Sequence, residues 1–141
     1  MATLFSRIID GELPGRFVWR DPEAVAFLTI NPIQPGHALV VPKVEVDNWL
    51  DLDEDVASHL MAVAQTIGRA QRVAFARERI GLIIAGLEVP HVHLHTIPIT
   101  SEADLDFSKA DPEPEADALD RAAERLREAL RSAGRAEVAE A

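Results

Sequence analysis

Every second residue of one short stretch of this chain is a histidine: His91, His93 and His95. Side chains on a β-strand alternate between its two faces, so these three imidazoles would share one face. The opposite face would carry the intervening residues Val92, Leu94 and Thr96. Pro90 and Pro98 mark where regular strand pairing should stop. The stretch therefore predicts a strand with one core-facing apolar side and one side made only of imidazole.

A row of imidazoles can bind a metal ion or act on an anionic substrate. The outer two histidines of such a strand would lie about 13 Å apart. Zinc ligands lie at about 2 Å from the ion, so all three cannot bind one zinc ion. The chain has no cysteine to complete a site, although two of the histidines with outside help remain an alternative. Imidazoles in a row can also attack, orient and donate hydrogen bonds to a substrate. A histidine-rich surface strand without function is the third alternative.

Composition limits the remaining classes of function. The 141 residues carry a formal net charge of −10, which argues against binding of a nucleic acid polymer through a basic surface. No apolar run approaches the ~18 residues that span a membrane, so no membrane partner is expected. Without cysteine there is no disulfide or thiolate metal centre. We expect a cytoplasmic protein of one main domain, with no cofactor and no resident metal.

Apolar spacing and turn residues predict the order of the elements. A short helix is expected over 3–10 and a long one over 53–78. The expected strands are 17–19, 24–29, 37–41, 80–85 and the histidine stretch. Short connections favour antiparallel pairing, and the last two strands should form a hairpin. These elements predict an α+β domain over 1–100, built on a mainly antiparallel five-stranded sheet.

After residue 100 the sequence becomes acidic and then amphipathic. An acidic linker is expected over 101–114, followed by an amphipathic helix over 115–134 that packs on the domain or on a partner subunit. Gly134 should end this helix, and residues 135–141 are expected to be a frayed tail. His59, at the edge of the apolar stripe of the long helix, is expected to be a surface residue without a role.

Several motifs, in order, resemble the histidine triad (HIT) family of nucleotide hydrolases and transferases. His91-Val92-His93-Leu94-His95-Thr96-Ile97 is similar to the signature of that family, in which histidines alternate with apolar residues. Further similarity lies in the segments 4–14 (LFSRIIDGELP), 26–32 (AFLTINP) and 35–43 (PGHALVVPK). The resemblance covers about residues 3–100. It implies a HIT-like fold, with the long helix packed on the sheet, and a homodimer formed through a strand and that helix.

The resemblance also implies a mechanism and a set of site residues. His93 would attack the α-phosphorus of a small, purine nucleotide conjugate, and water would later release the nucleoside monophosphate. His95 would donate a hydrogen bond to a phosphate oxygen, and His91 with His37 would hold the array. The positions that match substrate-binding positions in relatives are Phe5, Ile8, Leu13, Phe27, Thr29, Ile30, Gly86, Leu87 and Glu88.

Several of these positions depart from the pattern of the family. Thr29 stands where many relatives have an aspartate that binds the ribose, and one hydroxyl cannot accept two hydrogen bonds as a carboxylate does. Leu87 replaces a frequent glutamine, and Glu88 replaces a serine or threonine near the leaving group. The segment before the triad also lacks an Asn-Gly-rich loop. Two alternatives follow: a nucleotide-binding module without catalysis, and a zinc-binding protein that uses His37 and part of the triad.

Overall fold

The computed structural model describes residues 2–140. Five antiparallel strands form one sheet in the order β1-β2-β3-β5-β4. The elements are α1 (Leu4–Ile9), β1 (Phe17–Arg20), β2 (Ala24–Leu28), β3 (Ala38–Pro42), α2 (Glu54–Phe75), β4 (Arg79–Ile83), β5 (Leu94–Ile99) and α3 (Ala116–Ser132). Single 3-10 turns lie at Trp49–Asp51, Glu102–Asp104 and Phe107–Lys109. The predicted α+β fold with a five-stranded sheet is confirmed. No helix within residues 2–140 is long and apolar enough to cross a bilayer.

The two faces of the sheet carry separate apolar clusters. Helices α2 and α3 cover one face, where Ile67 and Leu126 are fully buried against strand residues that include Val40 and Leu94. The other face carries a second cluster beneath α1 that contains Phe5 and five other large apolar or aromatic residues: Phe17, Val25, Phe27, Leu39 and Val41. Because neighbouring strand residues alternate, the histidines lie on the face that carries α1.

The histidine stretch is only partly a strand. We expected a strand from His91, but β5 begins at Leu94. The backbone before it is bonded elsewhere: the N–H of Val92 donates to the Val46 carbonyl at 2.8 Å. The alternation nevertheless persists, because Val92 and Leu94 both lie in the cluster under the helices. The predicted antiparallel pairing of β4 with β5 is confirmed.

The long helix ends three residues earlier than predicted. Ala76 adopts a left-handed backbone conformation, with φ 52° and ψ 46°, and this conformation ends α2 at Phe75. The ring of Phe75 then packs against the turn that precedes β3, where a Cβ on Gly36 would lie 2.3 Å from the ring. Gly36 has φ +85°, so both its backbone and its surroundings require glycine.

The acidic segment 101–114, which the sequence predicts to be a linker, contains two 3-10 turns. Ser101 and Asp104 form a reciprocal capping box around its first 3-10 turn. Leu105 packs against a third apolar cluster, which contains Ile97 and Ile99 of β5. The following helix α3 belongs to the main core, since Leu126 and Leu130 are fully buried there.

The expectation of a frayed C-terminal tail is wrong for residues 137–139. The carbonyl of Glu137 accepts the N–H of Arg20 at 2.9 Å, and the N–H of Ala139 donates to the Val18 carbonyl at 3.0 Å. Ala139 is buried. The outer edge of β1 offers unpaired backbone groups, and the tail satisfies them.

His59 is not an idle surface residue. Its Nε2 lies 2.8 Å from Oδ2 of Asp21, and the indole N–H of Trp19 donates to the same oxygen at 2.7 Å. The expectation that His59 has no role is therefore wrong. The side chain links α2 to the turn between β1 and β2.

Candidate active site

His93 is held in a single orientation by the chain segment to which it belongs. Its Nδ1 lies 2.7 Å from the carbonyl oxygen of His91. A carbonyl can only accept, so Nδ1 carries the proton, and a neutral ring then has its lone pair on Nε2. Burial lowers the pKa of His93, and the bond to the carbonyl offsets only part of this effect. The ring is therefore neutral near pH 7 and presents an unprotonated Nε2.

The tautomer of His95 is fixed by a relay of two hydrogen bonds. The backbone N–H of Ile33 donates to Nδ1 of His37 at 3.1 Å, so the proton of a neutral His37 must be on Nε2. That Nε2–H donates to Nδ1 of His95 at 2.9 Å. A neutral His95 then carries its own proton on Nε2. The relay makes the free nitrogen of His95 a donor, whereas that of His93 is an acceptor.

Both histidines of this relay are uncharged at neutral pH. Burial, followed by the neighbouring His95, lowers the pKa of His37 to about 3. Burial, followed by the neighbouring His93, lowers the pKa of His95 to about 4. The tautomers derived for neutral rings therefore apply at pH 7.

His91 has no free ring nitrogen. Nε2 donates to the Pro42 carbonyl at 2.8 Å, and Nδ1 lies 2.7 Å from the Thr3 hydroxyl. The same hydroxyl caps α1 by accepting the N–H of Ser6. His91 is fully buried. It ties α1 to β3 and thereby sets where that helix lies over the sheet.

Helix α1 brings Phe5 and Ile8 next to Phe27 and the histidines. The ring centroid of Phe5 lies 4.8 Å from that of His93 and 5.6 Å from that of Phe27, both edge to face. Ile8 packs on the same cluster. Of the residues expected to bind substrate, the structure thus brings these three apolar side chains together next to His93.

The other expected substrate-binding residues are dispersed. Leu13 is half-buried outside that cluster, whereas Ile30 is 68% exposed and cannot be a core residue. Thr29 is half-buried, and its hydroxyl accepts the N–H of Asn31 at 3.2 Å. Leu87 is 96% exposed. The remaining two positions lie beside it in the loop before the triad: Gly86, with φ +79°, and Glu88, which is exposed.

A buried glutamine supports the histidine relay from the opposite face of the sheet. Gln71 on α2 donates from Nε2 to the carbonyls of Gly36 and Thr96, at 2.8 and 2.9 Å. These two residues are the neighbours in sequence of His37 and His95. The side chain therefore holds together the two backbone segments that carry the relay.

Sequence reasoning missed Phe107. Its ring centroid lies 5.0 Å from that of His95, and 46% of the residue is exposed. A single aromatic residue within an acidic segment gave no periodic signal. Thr3 was also missed, although a threonine directly before a helical apolar pattern is a capping signal.

The arrangement places an unprotonated ring nitrogen and a hydrogen-bond donor on adjacent rings. The centroids of His93 and His95 lie 4.9 Å apart. Such a pair can attack an electrophilic centre and stabilise negative charge that develops on it. Within residues 2–140 no group of three or more His, Cys, Asp or Glu side chains is arranged to hold a metal ion.

The chain is similar to a family model and to proteins of known sequence. The model of the HIT domain matches residues 10–102. An uncharacterised HIT-like protein of Methanocaldococcus jannaschii is 36% identical over 99 residues, which are 67% of this chain and 77% of that protein. The adenosine 5′-monophosphoramidase of Saccharomyces cerevisiae is 31% identical over 102 residues, 72% of this chain and 65% of that protein.

A solved structure extends the similarity to the whole fold. The zinc-bound histidine triad family protein of Mycobacterium smegmatis superimposes with a TM-score of 0.82 at 26% identity, over 95% of this chain and 96% of that one. The match to the domain model covers more than half of the chain and includes the three alternating histidines. The chain belongs to the histidine triad (HIT) family.

Proposed function

We propose that this protein is a hydrolase or transferase that acts at the α-phosphate of a small nucleotide conjugate, through a covalent bond to His93. The observation that supports this most is the hydrogen bond from Nδ1 of His93 to the His91 carbonyl, which leaves a lone pair on Nε2. Neutral imidazole is a competent nucleophile near pH 7.

In the first step Nε2 of His93 forms a bond to the α-phosphorus. The bond from phosphorus to the leaving group breaks, and the leaving group departs with the electron pair and takes up a proton. The imidazole, now bonded at both nitrogens, is positively charged, and the His91 carbonyl stabilises that charge through Nδ1–H. The Nε2–H of His95 donates to a non-bridging phosphate oxygen, where negative charge develops.

In the second step water attacks the same phosphorus. The bond between phosphorus and Nε2 breaks, its electrons return to His93, and the nucleoside monophosphate is released with the oxygen of the water. The water releases one proton to the solvent, which balances the proton that the leaving group takes from the solvent in the first step. Splitting the reaction into two steps replaces one difficult displacement by two easier ones. With an acceptor other than water, the same intermediate would give transfer.

The nucleoside would lie against the wall formed by Phe5, Ile8 and Phe27. Phe5 and Phe27 are buried and Ile8 is half-buried, so Ile8 would offer most of the apolar contact to a purine base. The named activity of the yeast relative supports a nucleoside phosphoramidate as the conjugate; a dinucleoside polyphosphate is the other candidate. Thr29 would supply one hydroxyl to the ribose, which predicts a weaker ribose contact than a carboxylate would give.

The test is intact-protein mass after rapid quench with an adenosine 5′-phosphoramidate. Wild type should gain the mass of a nucleoside monophosphate and release product over time, whereas His93→Ala should do neither. His59→Ala is the matched control, because it removes an imidazole bonded to Asp21 and should keep the adduct. If wild type binds AMP but gives neither adduct nor product, the protein is a nucleotide-binding module. Stoichiometric zinc in untagged protein that binds no nucleotide would instead favour the zinc-binding alternative.

We also propose that the protein forms a homodimer through β4. This strand is the last of the sheet, and Leu82 on it and Met61 on α2 are exposed large apolar residues. Both line a cleft of about 350 Å³ between α2 and β4. Light scattering should give twice the chain mass, and Leu82→Lys should shift it towards the monomer. A wild type that is monomeric at micromolar concentration would refute this proposal.

We further propose that the protein is located in the cytoplasm. A chain without cysteine is compatible with a reducing compartment, and the proposed substrates are intracellular metabolites by their chemistry. Fractionation of cells that express the protein with a small C-terminal tag would test this location.

A further inference from the structure

The first turn of α1 is joined to the histidine stretch by two separate links. The first is the hydroxyl of Thr3, whose Oγ1 lies 2.7 Å from Nδ1 of the fully buried His91. Nε2 of His91 donates to the Pro42 carbonyl, so Nδ1 of a neutral ring can only accept, and the hydroxyl is the donor. Removal of this hydroxyl would leave a polar atom of a buried ring without its partner.

The second link runs through the segment that follows β3. One carboxylate oxygen of the exposed Glu45 accepts the backbone N–H of Thr3 at 2.8 Å and the hydroxyl of Ser6 at 2.7 Å. The carbonyl of the next residue, Val46, accepts the N–H of Val92 at 2.8 Å. Residues 45 and 46 therefore hold α1 through a side chain and the histidine stretch through the backbone.

Both links end at the peptide group between His91 and Val92. The N–H of this group donates to Val46, and its carbonyl accepts the Nδ1–H of His93 at 2.7 Å. A peptide group is planar, so its two polar ends cannot turn independently. A plane that is held only at its N–H can still rotate about that bond, and the anchored side chain of His91 restricts this rotation. The orientation of His93 therefore depends on how firmly the segment 45–46 and the His91 ring are held.

Helix α1 also carries side chains that border His93. The ring centroid of Phe5 lies 4.8 Å from that of His93 and 5.9 Å from that of His91. Ile8, one turn further along the same helix, is half-buried against the same cluster. The helix has only six residues, so a movement of its first turn would displace the Thr3 hydroxyl and these apolar contacts together.

We propose that Thr3 and Glu45 are positioning residues that clamp α1 to the peptide group by which His93 is oriented. Thr3 acts through the His91 ring, and Glu45 acts through the first turn of α1. If the His91 carbonyl turned away, the proton of a neutral His93 could occupy either ring nitrogen, and a ring with its proton on Nε2 cannot attack phosphorus. The effect on turnover rests on the proposed function, whereas the tautomer of His93 is a property of the free protein.

The first test changes the Thr3 hydroxyl and measures the rate of adduct formation in a single turnover with an adenosine 5′-phosphoramidate. Thr3→Val has the same shape but no hydroxyl, and it should slow adduct formation by about tenfold, because one buried hydrogen bond is lost. Thr3→Ser keeps the hydroxyl and the cap of α1, so its rate should stay within about twofold of wild type. Rescue by serine would show that the hydroxyl, and not the methyl group, is required.

The second test changes Glu45 in the same assay. Glu45→Ala removes both bonds to α1 and should slow adduct formation by about threefold, less than Thr3→Val does, because the link from Thr3 to His91 remains. Both bonds end on one carboxylate oxygen, Oε1. The amide oxygen of Glu45→Gln can accept both, so that variant should keep the wild-type rate. Glu128→Ala is the matched control, because it removes an exposed glutamate of α3 on the opposite face of the sheet.

A measurement without substrate separates positioning from a general loss of structure. Nitrogen chemical shifts of the imidazole rings, measured by NMR, report which nitrogen of each ring carries the proton. At pH 7 wild type, Thr3→Ser and Glu128→Ala should show His93 with its proton on Nδ1, whereas Thr3→Val should show a mixture of both tautomers. Glu45→Ala should show a smaller fraction of the second tautomer, and it keeps the test available if Thr3→Val does not fold. The urea midpoint of each variant would establish that it is folded in the assay.

Three results would overturn the inference. A wild-type rate and an unchanged His93 tautomer in Thr3→Val would mean that Val46 alone holds the peptide group. A slower rate with an unchanged tautomer would mean that Thr3 serves only to cap α1. Equal losses in Glu45→Ala and Glu45→Gln would mean that the charge of Glu45 acts, and not its two bonds. A wild type that forms no adduct refutes the proposed function, and the tautomer of His93 in Thr3→Val then still decides whether the clamp exists.

Discussion

Replacement of Gly36 by alanine tests how α2 is fitted to the turn that precedes the histidine relay. A Cβ at this position would lie 2.3, 2.6 and 2.7 Å from three atoms of the Phe75 ring. These distances are shorter than any normal carbon contact. A rigid aromatic ring cannot move aside as the flexible end of an aliphatic side chain can. The backbone has φ +85°, which costs an L-residue about 1–2 kcal/mol. Overpacking adds about 1–3 kcal/mol.

Gly11→Ala provides the matched control. Gly11 has φ +86°, but nothing lies within 4 Å of its added Cβ, so this variant carries the backbone strain without the clash. Urea unfolding should show a larger loss for Gly36→Ala, by about 1–3 kcal/mol. With a urea slope of about 2 kcal/mol per M, the two midpoints should differ by about 0.5–1.5 M.

The same experiment can refute the reasoning. Equal midpoints for the two variants would mean that Phe75 moves aside at no cost, so the ring does not fix the turn. If Gly36→Ala is the less stable variant, its turnover should also fall, because the residue that follows is His37. If the variant is destabilised but keeps its turnover, the packing of Phe75 does not control the position of the histidine relay.

Two further predictions concern the relay and its protonation. Gln71→Leu removes the donor from two buried carbonyls and should lower the free energy of unfolding in urea by about 2–5 kcal/mol. The same change at the exposed Gln65 should cost little. Similar urea midpoints for the two variants would contradict the role of Gln71 in joining the Gly36 and Thr96 carbonyls. Turnover should be constant above pH 6.5 and should fall at lower pH, with a midpoint below the ordinary histidine value, because burial lowers the pKa of His93. Stability should fall over the same range: His37 and His95 have pKa values of about 3 and about 4 when folded, so between those values and 6.5 the unfolded chain binds protons that the folded chain does not. A stability that is flat from pH 7 to pH 4.5 would refute the buried, neutral relay.

The alternating pattern was enough to predict which face the histidines occupy. It depends only on neighbours in sequence, and Val92 and Leu94 lie in the core as expected. The hydrogen bond of His93 joins residues only two apart, but the contacts that orient His91 and His95 could not be predicted in this way. Thr3 and His91 are 88 residues apart in sequence, and His37 and His95 are 58 apart. Such pairs depend on how the sheet is assembled, which a local pattern does not contain.

The same limit explains the errors at the C-terminal end. The end of α3 at Gly134 favoured a frayed tail, but the open edge of β1 supplied partners that only the folded sheet provides. In the acidic segment, Phe107 gave no periodic signal because a 3-10 turn is too short to repeat. His59 was misjudged because its partner Asp21 lies 38 residues away in a turn.

The C-terminal tail covers one edge of the sheet and leaves the other edge open. Residues 137–139 occupy the β1 edge, so in the part of the chain that the structure describes only β4 can accept another strand. A sheet with two open edges can add copies without limit, as fibres do. A sheet with one open edge can pair with only one other sheet, and the resulting dimer then has no open edge. Residues 137–139 thus leave β4 as the open edge of the described sheet, which is the edge used in the proposed dimer.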